Sequence, residues 1–208
     1  MSGRWTGVRF GLRNLLKVLV VAIGALAVSP LIALCWIESR LDKGELVFGA
    51  CAQLLALIPS HLGVILRGAF YLGTLERCSW ETHIGFGSLF MHRGAVVAAN
   101  VSTGSYCVLG HADIGSGVMM GSRVSIPSGK RQHFGDRGQI IAAAKFDTVR
   151  IGARTWVGEG AIILADVGQD CVVSAGAVIT KSTPDRCIVG GNPAHVLKEL
   201  NPNRQTET

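Results

Sequence analysis

The sequence predicts a mainly β chain: a left-handed parallel β-helix, wound as a triangular prism, behind N-terminal membrane-associated helices and ahead of a short C-terminal helix. Three observations predict it. From Ile84 onward, aliphatic residues recur every six positions, each followed by a small residue. The 27 glycines and the 6% of aromatic residues suit tight, repeated corners better than a conventional core. The chain's apolar excess is concentrated in its first third, ahead of the repeat. At 208 residues the chain is one domain with a small appendage.

Residues 1–13 form a basic segment, expected on the cytoplasmic side. Arg4, Arg9, Arg13 and Lys17 precede the first apolar run and supply much of the net charge of +6. Such a cluster orients a membrane segment. It lacks the aromatic interleaving and the recognisable module of a nucleic-acid site. Residues 14–38 are read as a transmembrane helix. Val18 to Ile37 is uncharged and almost wholly apolar, long enough for the roughly 20 residues that a crossing needs. Trp36 stands where an interfacial aromatic belongs. The run exceeds the ~7–15 apolar residues of a cleaved leader. Leu34 is too bulky to precede a lipoprotein cleavage at Cys35, and there is no twin-arginine pair.

Residues 45–77 form a second apolar or amphipathic, membrane-associated helical segment. Leu46 to Ile58 is apolar and stopped by Pro59, too short to span alone. From His61 to Arg77, Leu62, Ile65, Leu66, Ala69, Phe70 and Leu72 are apolar, with Arg67, Glu76 and Arg77 polar. Two readings stand: an amphipathic helix on the membrane surface, or the return half of a re-entrant hairpin. A cytoplasmic N-terminus followed by a single crossing would put the rest of the chain outside. If the chemistry uses a cytoplasmic donor, the crossings must be even in number or the hairpin re-entrant.

Residues 82–192 carry the repeat. Its leading residues run Val97, Thr103, Leu109; then Ile114, Met120, Ile126; then Ile151, Val157, Ile163; then Val167, Val173, Ile179. Each hexapeptide makes one short strand and one corner, with the leading aliphatic pointing inward and stacking on its counterpart one coil along. The next residue, Gly or Ala, sits where a side chain would clash or φ must be unusual. Three hexapeptides close a coil, and stacked coils bury one continuous core. An ordinary β-sandwich does not account for the fixed spacing of small residues. Cys35, Cys51, Cys78, Cys107, Cys171 and Cys187 form no CxxC pair, and are read as reduced core residues in a reducing compartment. Residues 193–208 are read as a short helix, Ala194 to Leu200, and a tail.

The repeat breaks after Ile126 and resumes near Val149. The excursion, residues 127–148, is polar, basic and glycine-containing, and a loop this long on an economical solenoid is more often functional than decorative. It contains one histidine, His133. An imidazole near its own pKa at cellular pH can take a proton from a hydroxyl and return it to a leaving thiolate.

Over residues 82–198 the chain resembles the hexapeptide-repeat acyltransferases. The resemblance is sharpest from Val149 through Ile-Gly-Ala-Arg-Thr-Trp-Val-Gly-Glu-Gly to Ala175-Gly-Ala-Val-Ile-Thr-Lys181, and at Val189-Gly-Gly-Asn-Pro-Ala194. With its membrane-associated N-terminus the chain looks like O-acetyltransferases of exopolysaccharide and capsule pathways. The resemblance implies a catalytic loop histidine at this break, the general base, matching His133. His111, at a corner one turn before the excursion, is a candidate for substrate contact or for orienting His133, and Tyr106 and Gln132 are further acceptor-side candidates. The family's usual asparagine before cysteine is here Tyr106, a departure from the family's acceptor-side pattern. It implies an acetyl-CoA or other acyl-CoA groove along Trp156, Gly158, Ala175, Gly176, Thr180 and Lys181, with a glycine N–H as oxyanion donor and Lys181 on a phosphate. No metal is expected.

The resemblance also implies a homotrimer with shared sites, its flat faces bearing Val96, Met119 and Ile162. The expected partners are the lipid bilayer and a saccharide acceptor, at the bacterial inner membrane with the catalytic domain facing the cytoplasm. Two other functions fit the fold: a non-catalytic scaffold, and a metal hydratase like the γ-class carbonic anhydrases. The hydratase needs closely spaced zinc-binding histidines that this chain lacks.

Overall fold

The computed structural model describes residues 6–41, 44–129, 133, 139–140 and 146–200, with side chains at Leu15 and from Lys17 onward. The repeat folds into a left-handed parallel β-solenoid of about six turns. One sheet stacks β1 (Arg77–Cys78), β3 (Val96–Val97), β6 (Ala112–Ile114) and β9 (Val149–Ile151). A second stacks β4 (Ser102–Thr103), β7 (Met119–Met120), β10 (Trp156–Val157), β12 (Val172–Val173) and β14 (Cys187–Gly191), with β15 (Ala194–Glu199) at its edge. The third stacks β2 (Leu89–Phe90), β5 (Val108–Leu109), β8 (Ser125–Ile126), β11 (Ile162–Ile163) and β13 (Val178–Ile179). Two-residue strands persist because each is bonded to the coil on either side.

The hexapeptide period is a burial period. On the third sheet Phe90, Leu109, Ile126, Ile163 and Ile179 point inward, all at most 1% exposed. Val97, Ile114 and Ile151 do the same on the first sheet, and Met120, Val157, Val173 and Val189 on the second. Removing each such side chain from water stabilises the fold by roughly 1.5–3 kcal/mol. The residue four places on is also buried: Val101, Val118, Val124, Ala161 and Ala177 are each at most 1% exposed.

The two reasons expected for the small residues fall on two different positions. The glycine after the leading aliphatic is cramped: a Cβ on Gly158 would lie 2.5 Å from the Ala175 nitrogen, and one on Gly115 2.6 Å from the Ala153 nitrogen. Positive φ comes two residues later, once per coil at two of the corners. Asn100, Gly117, Arg154, Asp170 and Arg186 share one corner, and Gly87, Tyr106, Arg123, Gly160 and Gly176 the other. That position points outward, so non-glycine residues occupy it at a modest backbone cost.

The expected C-terminal helix is a strand. After β14 the chain turns at Asn192–Pro193, and β15 returns antiparallel, pairing Gly191 with Ala194 and Cys187 with Glu199. Without β15 the outer edge of β14 would present a row of unpaired amides and carbonyls. The backbone groups of Ala194–Glu199 are better satisfied there than in a single isolated helical turn.

Three helices close the other end: α1 (Thr6–Leu41), α2 (Leu46–Ala56) and α3 (Ser60–Thr74). At 1.5 Å per residue α3 is about 22 Å long, and both its ends meet the first coil. Ser60 and His61 share a cavity with Phe86 and Ser105, and Glu76 just past the helix donates its N–H to the Arg93 carbonyl. So α3 lies across the end of the prism, with Tyr71 Oη accepting from the Phe90 N–H. Then α1 packs along α3. A Cβ on Gly24 would meet Ile65 at 2.8 Å, and one on Gly73 would meet Ile32 at 2.8 Å. Trp36 Nε1 donates to the Gly73 carbonyl at 2.9 Å.

Arg67 departs from the amphipathic expectation. It is fully buried, not on a polar face. Nε donates to the Ile84 carbonyl at 3.0 Å, and Nη1 to the carbonyls of Leu55 at 3.0 Å and Ile58 at 2.8 Å. It closes the C-terminal end of α2, whose last carbonyls have no partner within the helix. The outer face of the helical layer is apolar, with Ile23, Leu26, Leu34, Leu54, Leu57 and Leu62 exposed.

Candidate active site at the excursion corner

The corner that follows the third sheet is the candidate site. Two residues beyond each inward-pointing side chain of that sheet lies one corner position: His92 after Phe90, His111 after Leu109, Ser128 after Ile126, Lys181 after Ile179. Successive coils therefore stack His92, His111 and Ser128 in a ladder. The excursion leaves the prism from the third rung and returns at Phe146 to Asp147. Its foot is fixed by the Asp147 N–H donating to the Ser128 carbonyl at 3.0 Å. The Ser128 hydroxyl accepts the His111 N–H at 2.6 Å.

The rings are packed together. His92 and His111 stack with centroids 4.6 Å apart, and Phe146 lies 4.3 Å from His92 and 5.8 Å from His111. Gly94 leaves the space that His111 occupies, since a Cβ there would sit 2.7 Å from the ring. Glu45, in the link before α2, meets His92 Nδ1 at 2.6 Å and accepts the Arg93 N–H at 2.8 Å. A carboxylate accepts, so Nδ1 of His92 is the donor in this contact. Burial raises the Glu45 carboxyl, but hydrogen bonds from His92 and Arg93 outweigh it and hold it below the usual carboxylate range. Burial, then His92, holds His111 below the ordinary imidazole value, against the pull of Glu45 and Glu76. A depressed imidazole stays neutral, and so able to accept a proton, to lower pH than a free one.

The same corner bolts the helical cap to the coil. Glu38 caps α2, accepting the Val47 N–H at 2.6 Å and the Phe48 N–H at 3.1 Å. Arg93 donates to the Cys35 carbonyl at 2.9 Å and to the Gly44 carbonyl, and pairs with Glu38 at 3.3 Å. Neither Glu45 nor His92 stood out in the sequence. The signal was their register: His92 occupies the rung below His111.

The expected site residues are distributed as follows. His133 is an exposed turn residue in the excursion, and Gln132 lies outside the described residues. Tyr106 is at the neighbouring corner, across β5 from His111, with its ring on Phe86 at 5.5 Å. Trp156, Gly158, Ala175 and Gly176 gather near that same corner on successive coils. Thr180 and Lys181 lie on the far side of the third sheet, on the histidine ladder. The expected oxyanion role for Gly158 or Gly176 is corrected: the Gly158 N–H donates to the Val173 carbonyl at 2.7 Å and the Gly176 N–H to the Glu159 carbonyl at 2.8 Å. Both amides hold one coil to another. Among the described residues no group of three metal-ligating side chains is placed to hold an ion.

The fold has a close counterpart in the crystal structure of a maltose O-acetyltransferase from Clostridium difficile. The TM-score is 0.65 at 20% identity, over 74% of this chain and 85% of that one. In repeat and fold the chain is similar to the hexapeptide-repeat acyltransferases. A galactoside O-acetyltransferase of Lactococcus lactis is 29% identical over 123 residues, 57% of this chain and 58% of its own. A Saccharomyces cerevisiae protein named as an acetyltransferase is 31% identical over 62 residues, 29% of this chain and 32% of its own. The chain thus matches between about a third and somewhat over half of the length of these relatives. No family model matches.

Proposed function

We propose that this hexapeptide-repeat protein is a membrane-attached acyltransferase that moves an acetyl or other acyl group from an acyl-CoA to a hydroxyl of a saccharide. The acceptor is an exopolysaccharide precursor or a lipid-linked sugar. The observation that carries the reading is the excursion rooted on a corner of stacked imidazoles with a carboxylate behind them, a proton-handling site on an acyltransferase fold. The relatives named for maltose and galactoside O-acetylation support the sugar hydroxyl.

In this reading His133 takes the hydroxyl proton as the oxygen attacks the thioester carbonyl. The C–S bond then breaks, and the imidazolium returns the proton to the departing thiolate. No covalent enzyme intermediate is needed. Trp156, Ala175 and Gly176 form one wall of the donor groove, and Lys181 meets a phosphate. A second reading makes His111 the base and His92–Glu45 its support, favoured by the 4.6 Å stack and the 2.6 Å contact. The two separate in one assay. With His133 as base, His133→Ala lowers acyl transfer by roughly 10²–10⁴-fold and His111→Ala by much less. The reverse order assigns the base to the corner, and normal turnover in a folded His133→Ala protein ends the first reading.

The geometry of the cap supports one mode of attachment. One apolar stretch, Lys17–Leu41, is long enough to cross a membrane. Yet Lys17 and Val20 share a cavity with His83 and Asn100 of the first turns, while Cys35 and Glu38 are bonded to Arg93 at another corner. This supports an interfacial arrangement, with α1 lying along one face of the bilayer and its apolar side in the lipid. The N-terminus and the prism then share one side, the cytoplasm, where acyl-CoA is found. A periplasm-specific reporter that is active after fusion to Thr208 overturns this. Three copies are proposed to assemble about a three-fold axis, through outward residues such as Met119, Trp156 and Ile162, which are 39–53% exposed. Mass measurement in detergent checks it, and a monomer counts against it.

A further inference from the structure

A cavity of about 310 Å³ lies between the N-terminal turn of α3 and the first coil, away from the histidine ladder. Its wall includes Ser60, His61, Arg67, His83, Thr103 and Ser105, and no acidic residue. We propose that it binds the phosphate of an amphiphilic phosphoester, whose chain lies in the adjoining cavity along α1. This rests on the membrane attachment above, and makes the ligand a lipid-borne phosphate.

Several observations converge on an anion. Arg67 is fully buried, and Nη2 of its guanidinium has no hydrogen-bond partner among the described residues. A buried cation with an unfilled donor is costly unless something anionic reaches it. The carbonyls of Leu55, Ile58 and Ile84 engage only its Nε and Nη1. The first turn of α3 contains no acidic residue and has no side-chain cap, so its free amides add positive potential at the same place. Burial, then the charges of His61 and Arg67, holds His83 below the ordinary imidazole value. His83 is thus held neutral beside the fixed charge of Arg67, and a bound phosphate would offset that charge and favour the imidazolium.

The chain of the ligand has its own space. A second cavity of about 430 Å³ shares His83 with the first. Val20, Val21 and Ile65 give it an apolar wall from the helices, Trp80 closes one side, and Lys17 and Glu81 stand at its polar rim. This cavity lies between the first turns and the inner side of the helical layer whose outer face is proposed to contact lipid, so an acyl or prenyl chain can pass from the bilayer beneath that layer while its phosphate reaches His83 and Arg67.

The test titrates the full-length protein, in a detergent with an uncharged headgroup, with dodecyl phosphate and separately with inorganic phosphate. The proposal expects saturable binding of dodecyl phosphate at least tenfold tighter than that of inorganic phosphate. Binding should raise the His83 imidazole pKa, read by NMR. His61→Gln and His83→Gln should each weaken binding roughly tenfold, the worth of one hydrogen bond to a charged group. Equal affinity for both phosphates means a free-anion site and overturns the amphiphile. Absence of saturation, or affinity unchanged in both variants, overturns the site itself. Acyl transfer is not the readout: His133→Ala should bind dodecyl phosphate as the unaltered protein does. Binding without any transferase activity would sink the proposed function and leave this site standing.

Discussion

At its C-terminal end the prism is closed by β15, pairing backbone to backbone with β14; at its N-terminal end it is closed by three helices fastened through buried charge. The first closure is generic. It satisfies a sheet edge with main-chain hydrogen bonds and leaves Val196 and Leu197 46% and 64% exposed. The second depends on particular side chains: Arg67 on the end of α2, Arg93 and Glu38 on α1, Glu45 on His92. The difference teaches where specificity sits in a solenoid. Coils stack by repetition, but an end that must fasten three helices across the prism needs residues that no repeat supplies.

Replacing Arg67 breaks that contrast most severely. Arg67→Met orphans the carbonyls of Leu55, Ile58 and Ile84 in a buried place, where each lost partner costs about 1–3 kcal/mol. A total loss of at least about 3 kcal/mol is expected, read as loss of helical signal or a lowered denaturation midpoint. Leu197→Ala at the other end should cost less than about 1 kcal/mol, because its side chain is mostly in water. Comparable losses at both ends would mean that the N-terminal cap is held by apolar contact and not by the arginine.

This contrast also separates what was legible from what was not. The coils were readable because the six-residue period is a local burial code: Leu109, Ile126, Ile163 and Ile179 follow it and are buried. The excursion was readable as the one long break in that code. The ends were not. Ala194–Glu199 carries no period that tells a strand from a helical turn, and only the open edge of β14 decides it. Arg67 looked like the polar face of a surface helix, because its acceptors come from elsewhere in the chain. Glu45 and His92 are 47 residues apart, and nothing in the pattern of either segment announces the pair.

Glu45 provides a milder test of the same end. Its carboxyl titrates below the ordinary value of 4.5 in the folded protein. Ionised Glu45 therefore contributes stability that is complete above about pH 4.5 and lost as pH falls through the folded value. Glu45→Gln should cost about 1 kcal/mol near neutrality and flatten the acid-side fall in melting temperature. It should also free the His92 ring, so the pH profile of acyl transfer should shift if the corner handles protons. A melting curve that keeps its full acid-side slope in the variant would place the titrating group elsewhere.

The coils hold both a larger effect and the smallest one, because their two kinds of corner position can be told apart. Gly158 needs no Cβ because the next coil is too near, with Ala175 nitrogen 2.5 Å from where one would sit. Gly158→Ala should force the coils apart and cost about 1–3 kcal/mol, as overpacking does. Arg123 sits at the other kind of position, with φ +60° and its N–H on the Ser105 carbonyl at 2.8 Å. Its constraint is conformational, since an L residue there pays for the left-handed region and glycine does not. Arg123→Gly relieves that strain, but it also loosens the unfolded chain, which offsets part of the gain. The net should be a stabilisation of about 0.5 kcal/mol, or roughly 1–2 °C in melting temperature for a chain of this size. Because the side chain points outward, no core contact is lost to confuse the sign. A drop of more than a degree would show that the arginine makes a contact that matters, and that the outward corner is not merely a backbone position.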